Sequence, residues 1–62
     1  MRDFITIQET RIRINTIKRY KPVGLLSLNI YYSASKSRID MEAFMFKSEK
    51  DRNEMLEILD AL

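Results

Sequence analysis

The chain has 62 residues, 45% hydrophobic and 32% charged, with a formal net charge of +2 at pH 7. A chain of this length makes one domain and buries only about 60% of its unfolded surface, so its core is small. It contains no cysteine and no histidine, which excludes disulfides, Cys/His metal sites and nucleophilic catalysis based on a thiol or an imidazole.

Alternation of apolar and polar residues predicts two short strands at the start of the chain, over residues 3–8 and 11–15. In the second strand isoleucines alternate with Arg11 and Arg13, so the arginines are expected to point to solvent. Glu9-Thr10 is the predicted turn. These two strands are expected to form a hairpin, because sequential strands are usually neighbours in space.

Asn15-Thr16 is a polar break in the pattern. After it, residues 17–21 predict a third, weaker strand, with a bend that redirects the second strand as the alternative. A turn follows at Pro22-Val23-Gly24, the only segment with proline or glycine. A fourth strand over residues 25–33 is expected to be central in the sheet. One of its faces is apolar and is formed by Leu26, Leu28, Ile30 and Tyr32.

A serine-rich loop precedes a fifth predicted strand over residues 38–46. One of its faces is expected to meet the helix and consists of Ile39, Met41, Ala43 and Met45. The opposite face contains Phe44 and Phe46 beside charged residues. These two aromatic side chains would need cover from another part of the protein or from a partner.

The last segment predicts an amphipathic helix over residues 49–61. Ser48 has the side chain preferred at an N-cap, and Asp51 lies three residues on, where a capping-box acid is found. The apolar arc consists of Arg52, Met55, Leu56, Ile58, Leu59 and Leu62.

The predicted fold class is therefore α+β: a curved antiparallel sheet of four or five short strands with one C-terminal amphipathic helix packed on it. The alternative is a dimer of β-ribbons in which the first hairpins pair between subunits. Both describe residues 1–62 as a single domain.

The composition favours a protein that is not an enzyme. Asp40 and Glu42 are two residues apart on one strand face, but such a pair usually belongs to a solvated surface. With a single glycine the chain has no phosphate-binding loop. No catalytic residue, metal, cofactor or small-molecule substrate is predicted.

A basic strand surface is one candidate site. Residues 1–21 have six basic and two acidic side chains, a net +4, whereas residues 22–62 have five basic and seven acidic, a net −2. Cations interleaved with aromatic rings on a sheet can hold single-stranded nucleic acid. The candidate contacts are Arg11, Arg13, Lys18, Arg19, Tyr20, Lys21 and Tyr31. The competing interpretation is a solvated face whose cations keep strand edges soluble.

An aromatic sheet surface is the other candidate. One helix can cover only one face of a sheet, so aromatic residues on the second face either fill the interior of a curled, barrel-like sheet or contact a partner. The candidate interface residues are Tyr31, Tyr32, Phe44 and Phe46. We therefore expect a binding module that acts through protein–protein contacts, as a homodimer or with another protein, with nucleic-acid binding as the alternative. No membrane segment is evident, which favours the cytoplasm.

The segment Ile14-Asn15-Thr16-Ile17, preceded by two short strands and followed by two more and an acidic helix, resembles short bacterial and bacteriophage proteins of the flagellar FlbD-like type. The resemblance spans the chain in outline and implies a small β-sheet closed by one helix. It implies no catalytic residues. The chain departs from that pattern in its shorter spacer after Asn15 and in having Ser33 to Ser37 where a glycine is expected. Abundant Ile, Lys, Asn and Tyr would suit an AT-rich genome such as that of a phage.

Overall fold

A computed structural model, which describes residues 3–62, shows five antiparallel strands and one C-terminal helix, as predicted for an α+β domain. The strands form two sheets, a hairpin of β1 and β2 and a three-stranded sheet in the order β3-β4-β5. A 3₁₀ turn, Ile14–Thr16, separates the two sheets. The elements are β1 (Phe4–Ile7), β2 (Thr10–Arg13), β3 (Ile17–Val23), β4 (Ser27–Ser35), β5 (Arg38–Met45) and α1 (Glu49–Asp60).

The β1–β2 hairpin closes through a two-residue turn formed by Gln8 and Glu9, one residue earlier than predicted. Both residues have positive φ, 49° and 71°, as in the type I′ turns that match the twist of paired strands. Neither residue is a glycine, so the conformation costs some backbone strain. The Gln8 side chain also donates a hydrogen bond from Nε2 to the carbonyl oxygen of Met45, at 2.7 Å.

The connection between β3 and β4 lies two residues beyond the predicted turn. Pro22 belongs to β3 and is paired with Leu28 of β4, and the turn consists of residues 24–26. Proline is tolerated there because β3 is an edge strand. Gly24 has a φ of +61°, which explains the glycine at this position. The register between β3 and β4 also shifts between Ile17 and Arg19, leaving Lys18 in a bulge.

The core lies between the two sheets and the helix. We call the face of the three-stranded sheet that contributes to the core its inner face, and the opposite one its outer face. The hairpin contributes isoleucines, the inner face contributes Leu28, Ile30 and Phe44, and the helix contributes Leu59. The buried apolar residues are Ile5, Ile7, Ile12, Leu28, Ile30, Phe44 and Leu59. The hairpin and the helix thus cover the inner face only.

Strand β5 has the predicted alternation, but its two faces are reversed. Phe44 pairs with Leu28 and is 4% exposed, so its side of β5 faces the core. Phe46, just after the strand, is half-buried and packs against the same core. The expectation that the other side of β5 meets the helix is wrong. The physical reason is register, because pairing with β4 sends Phe44 inward with Leu28.

The helix begins as predicted. Ser48 is its N-cap, and its hydroxyl oxygen accepts a hydrogen bond from the backbone N–H of Asp51 at 3.2 Å. Leu59 is buried in the core, and Met55 and Leu56 pack against it. Leu62, which the apolar arc would place in the core, is 53% exposed. Since the helix ends at Asp60, Leu62 lies beyond the last helical residue.

Arg52 is a buried cation on the helix, 6% exposed. Its guanidinium Nη1 donates to the carbonyl oxygens of Gly24 at 3.2 Å and Ser27 at 3.0 Å. Its Nε donates to the side-chain oxygen of Asn53 at 2.9 Å. These neutral acceptors offset part of the cost of burying the charge. Arg52 therefore fixes the first turns of the helix to the β3–β4 turn.

Replacing Leu59 by alanine should lower the free energy of unfolding by about 2–5 kcal/mol, because it opens a cavity in a small core. Leu62→Ala is the matched control and should change it by less than about 0.5 kcal/mol, since that side chain is mostly exposed. Urea unfolding followed by circular dichroism measures both. Equal effects of the two substitutions would contradict the placement of the helix.

Replacing Arg52 by methionine keeps an unbranched apolar stem but removes every guanidinium donor. We expect a loss of about 1.5–3 kcal/mol in the free energy of unfolding, the usual contribution of hydrogen bonds to a charged group. Lys50→Met, at an exposed position of the same helix, is the control and should be nearly neutral. If Arg52→Met were as stable as the parent protein, the bonds to the turn would contribute nothing.

Candidate protein-binding surface

The outer face of the three-stranded sheet is covered by neither the hairpin nor the helix. Cross-strand pairing arranges its side chains in rows, because directly paired residues share a face. One row joins Arg19, Tyr31 and Met41 across the three strands. The next two rows are Lys21, Asn29 and Ala43, and then Val23, Ser27 and Met45.

The β5 side of this face is an exposed apolar stripe. Ile39 is 61% exposed, Met41 48% and Met45 70%. Ala43 lies between the two methionines in the same stripe and is also exposed. Four apolar side chains in succession on one solvent-facing side of a strand differ from the usual pattern, in which that side is polar.

The β3 side of the outer face is basic. The guanidinium carbon of Arg19 lies 4.5 Å from the centre of the Tyr31 ring, a cation–π contact across the two strands. Lys21 is exposed in the next row. The outer face is therefore divided into an apolar half on β5 and a cationic half on β3, with the half-buried Tyr31 between them.

The residues predicted to contact nucleic acid lie in separate parts of the structure. Arg19, Lys21 and Tyr31 lie together on the outer face, and Lys18 is exposed in the bulge beside them. The other cations, Arg11 and Arg13, are on the solvent side of the hairpin. Their guanidinium carbons lie 4.7 Å and 5.0 Å from the centre of the Phe4 ring. Since the hairpin and the three-stranded sheet face one core, these two basic groups lie on opposite sides of it.

Tyr20, which was also predicted to contact nucleic acid, lies on the inner face instead. It pairs with the buried Ile30 and packs against the core. Its hydroxyl donates a hydrogen bond to Oδ1 of Asp60 at 2.6 Å, which attaches the end of the helix to β3. That hydrogen bond, with smaller effects of desolvation and of the Asp60 charge, raises the pKa of Tyr20 above its ordinary value of 10.0.

The four predicted interface residues also divide between the two faces. Tyr31 is on the outer face, whereas Tyr32 pairs with Ile17 and lies half-buried on the inner face. Phe44 is a core residue and Phe46 packs against the core, so the protein itself supplies the cover that these rings need. This corrects the expectation that Phe44 and Phe46 form a surface for a partner.

A groove of about 390 Å³ separates β2 from the inner side of β5. Arg11 and Arg13 line it on the β2 side, and Asp40 and Glu42 line it on the β5 side. Asp40 also accepts a hydrogen bond at Oδ1 from Nε of Arg38, at 3.0 Å, in an ion pair within β5. Among residues 3–62, no three acidic side chains approach closely enough to hold a metal ion. In the same part of the chain no helix is long and apolar enough to cross a membrane.

The exposed stripe on β5 is not evident from the sequence. Its residues are apolar and alternate regularly with polar ones, which predicts a face that packs on the core. The opposite face has two large rings, Phe44 and Phe46, but it also has three charged side chains, Arg38, Asp40 and Glu42. Apolar content therefore gives no signal in the sequence for which face of β5 is buried.

Replacing Tyr20 by phenylalanine should lower the free energy of unfolding at neutral pH by about 0.5–1.5 kcal/mol, through loss of the bond to Asp60. The raised pKa adds a pH dependence. The unfolded chain loses the Tyr20 proton at a lower pH than the folded protein, so this stabilisation is complete below about pH 10 and decreases above it. The difference between the parent and Tyr20→Phe should therefore shrink with rising pH, as measured by urea unfolding. Tyr32→Phe, which removes a hydroxyl elsewhere, is the control.

Comparison with protein-family models, with curated proteins and with solved structures finds no match to this chain. The resemblance to the FlbD-like type therefore remains a prediction from the sequence pattern.

Proposed function

We propose that this protein is a small cytoplasmic, non-enzymatic binding module that acts through protein–protein contacts. The contacts are made by the outer face of the three-stranded sheet, and the partner is a second copy of the chain. The observation that supports the proposal most is the exposed stripe of Ile39, Met41 and Met45, which are 61%, 48% and 70% accessible. Burying side chains of this kind against a partner is favourable by about 25 cal/mol per Å² of apolar surface removed from water.

The distribution of apolar residues supports a partner for this face. The chain has few large apolar side chains, yet it leaves several of them together on the outer face instead of in the core. Scattered exposed apolar residues need no explanation, but contiguous ones are typical of interaction sites. The stripe is contiguous because its residues are successive outward positions of one strand. Arg19 and Lys21 at the β3 side form a polar rim beside it, as protein interfaces usually have.

Nucleic-acid binding is the second candidate, and one observation favours it. Arg19, Lys21 and Tyr31 lie together on the outer face, so phosphates and a base could be held by neighbouring side chains. The observation is weaker than the apolar stripe. Arg11 and Arg13 are on the other side of the core, and Tyr20 is hydrogen-bonded to Asp60, so a continuous basic and aromatic surface does not form.

The double substitution Ile39→Thr and Met45→Gln tests the proposed function. Both side chains are exposed, so folding should be nearly unchanged, with an effect within about 0.5 kcal/mol per site. Self-association, measured by sedimentation over a wide range of protein concentration, should be strongly weakened. The matched control is Leu25→Gln, because Leu25 is 68% exposed but lies in the β3–β4 turn and outside the stripe.

Two outcomes would contradict the proposal. One is a parent protein that stays monomeric at every concentration. The other is tight binding to single-stranded oligonucleotides that weakens steeply with salt and is lost in the variant Arg19→Glu, Lys21→Glu, since that result would establish the second candidate.

A further inference from the structure

The outer edge of β5 offers a row of unpaired backbone groups. Within residues 3–62, β5 pairs only with β4. The backbone N–H of Phe46 donates to the carbonyl oxygen of Leu26, at 2.9 Å, and continues the β4–β5 ladder. In an antiparallel ladder, hydrogen-bonded pairs recur at every second residue. The even-numbered residues of β5 therefore bond to β4, and the odd-numbered residues direct their N–H and C=O groups to the outer edge.

An independent contact agrees with this assignment. The Gln8 side chain reaches the carbonyl oxygen of Met45, an odd-numbered residue, from outside the ladder. That bond occupies one end of the edge. The backbone groups of Ile39, Met41 and Ala43 remain as the part of the edge that an added strand could pair with, and between Ile39 and Met45 this edge has neither a proline nor a bulge.

We propose that β5 of a second copy adds to this edge in antiparallel orientation, so that two three-stranded sheets join into one of six strands. This inference rests on the proposed function, because it specifies how the second copy binds. A two-fold axis perpendicular to the sheet keeps the two outer faces on the same side. The exposed stripes of the two copies then lie next to each other and form one wider apolar surface.

The charges on the inner side of β5 and the length of the paired segment together favour one register. With the axis at Asp40, Arg38 of each copy lies opposite Glu42 of the other, which gives two reciprocal pairs of opposite charge. Ile39 then lies opposite Met41, so the stripes also meet. The two Asp40 side chains face each other, but the negative charge of each is partly neutralised by Arg38 of the same copy, whose Nε lies 3.0 Å from Oδ1 of Asp40.

The neighbouring registers are less favourable. Moving the axis to Ile39 would place Arg38 opposite Asp40 twice, but it would set Met41 opposite Ser37, which lies in the turn before β5, and leave Ile39 as the one edge-directed residue of β5 that is paired with β5 of the second copy. Moving the axis to Met41 places Asp40 opposite Glu42 twice, and like charges directly opposite each other destabilise paired strands. Moving it to Glu42 places the two Glu42 side chains opposite each other and leaves Arg38 without an acidic partner across the axis.

Proline and threonine at position 41 test whether the edge itself pairs. The Met41 N–H points to the outer edge, so Met41→Pro removes a donor that the monomer does not use and can be accommodated at an edge position. Self-association measured by sedimentation should be abolished. Met41→Thr keeps the N–H and removes the apolar side chain, so it should retain measurable dimer. Circular dichroism and urea unfolding establish that both variants fold.

A charge exchange tests the register. Arg38→Glu alone and Glu42→Arg alone should each weaken dimerisation by about tenfold, because each turns two attractive cross-strand pairs into repulsive ones. The double variant Arg38→Glu, Glu42→Arg should restore the parent affinity to within about threefold. Residues 38 and 42 are four apart in one extended strand, roughly 13 Å, so these two side chains do not contact each other within one copy, and rescue in the double variant indicates that they pair between copies.

The outcomes separate this inference from the proposed function. A dimer that Met41→Pro and the charge reversals leave intact, but that the Ile39→Thr, Met45→Gln variant dissociates, would overturn edge pairing and keep the outer face as the interface. If Met41→Pro fails to fold, the charge exchange alone tests edge pairing. If the double variant loses as much dimer affinity as the two single variants together, the proposed register is overturned. A parent chain that is monomeric throughout overturns both.

Discussion

The whole fold depends on burying two side chains of β4, Leu28 and Ile30. Both have no exposed surface. The strand that carries them is central in its sheet, so its backbone is fixed on both sides by β3 and β5. The hairpin and the helix both have to reach this one inner face, because a chain of 62 residues has too few apolar side chains for a second core. An uncovered outer face is the geometric consequence of that limit.

Much of the fold follows from local patterns in the sequence. Alternation located all five strands to within a few residues, and the side chains of Ser48 and Asp51 located the start of the helix. Two features were not predictable in this way. Asn15-Thr16 marks a polar break in the sequence, but this break does not reveal that a 3₁₀ turn at residues 14–16 divides the strands into two sheets. The turn near Gly24 was predicted too early, because proline marks turns but is also allowed in an edge strand.

The candidate surface was less predictable than the fold. Alternation in β5 distinguishes two faces, yet it cannot say which of them is buried, since that depends on pairing with a strand far away in sequence. The stripe on β5 was therefore assigned to the core, and Phe44 to a partner. Arg52 shows a related limit. Its position on the apolar arc is evident from helical periodicity, but its acceptors at Gly24 and Ser27 become adjacent only in the folded chain. Long-range register is the missing information in each case.

Strand β3 forms the other edge of the three-stranded sheet, and its sequence makes that edge a poor site for further pairing. Pro22 has no N–H to offer, and the bulge between Ile17 and Arg19 disrupts the straight row of backbone groups. A sheet with two receptive edges can add molecules at both and grow into a fibre. When the three-stranded sheet has only one receptive edge, addition of β5 to β5 joins like edges around a two-fold axis and leaves no receptive edge of that sheet free. The proline and the bulge thus limit growth by strand pairing to a closed pair and protect a small, partly apolar sheet from aggregation.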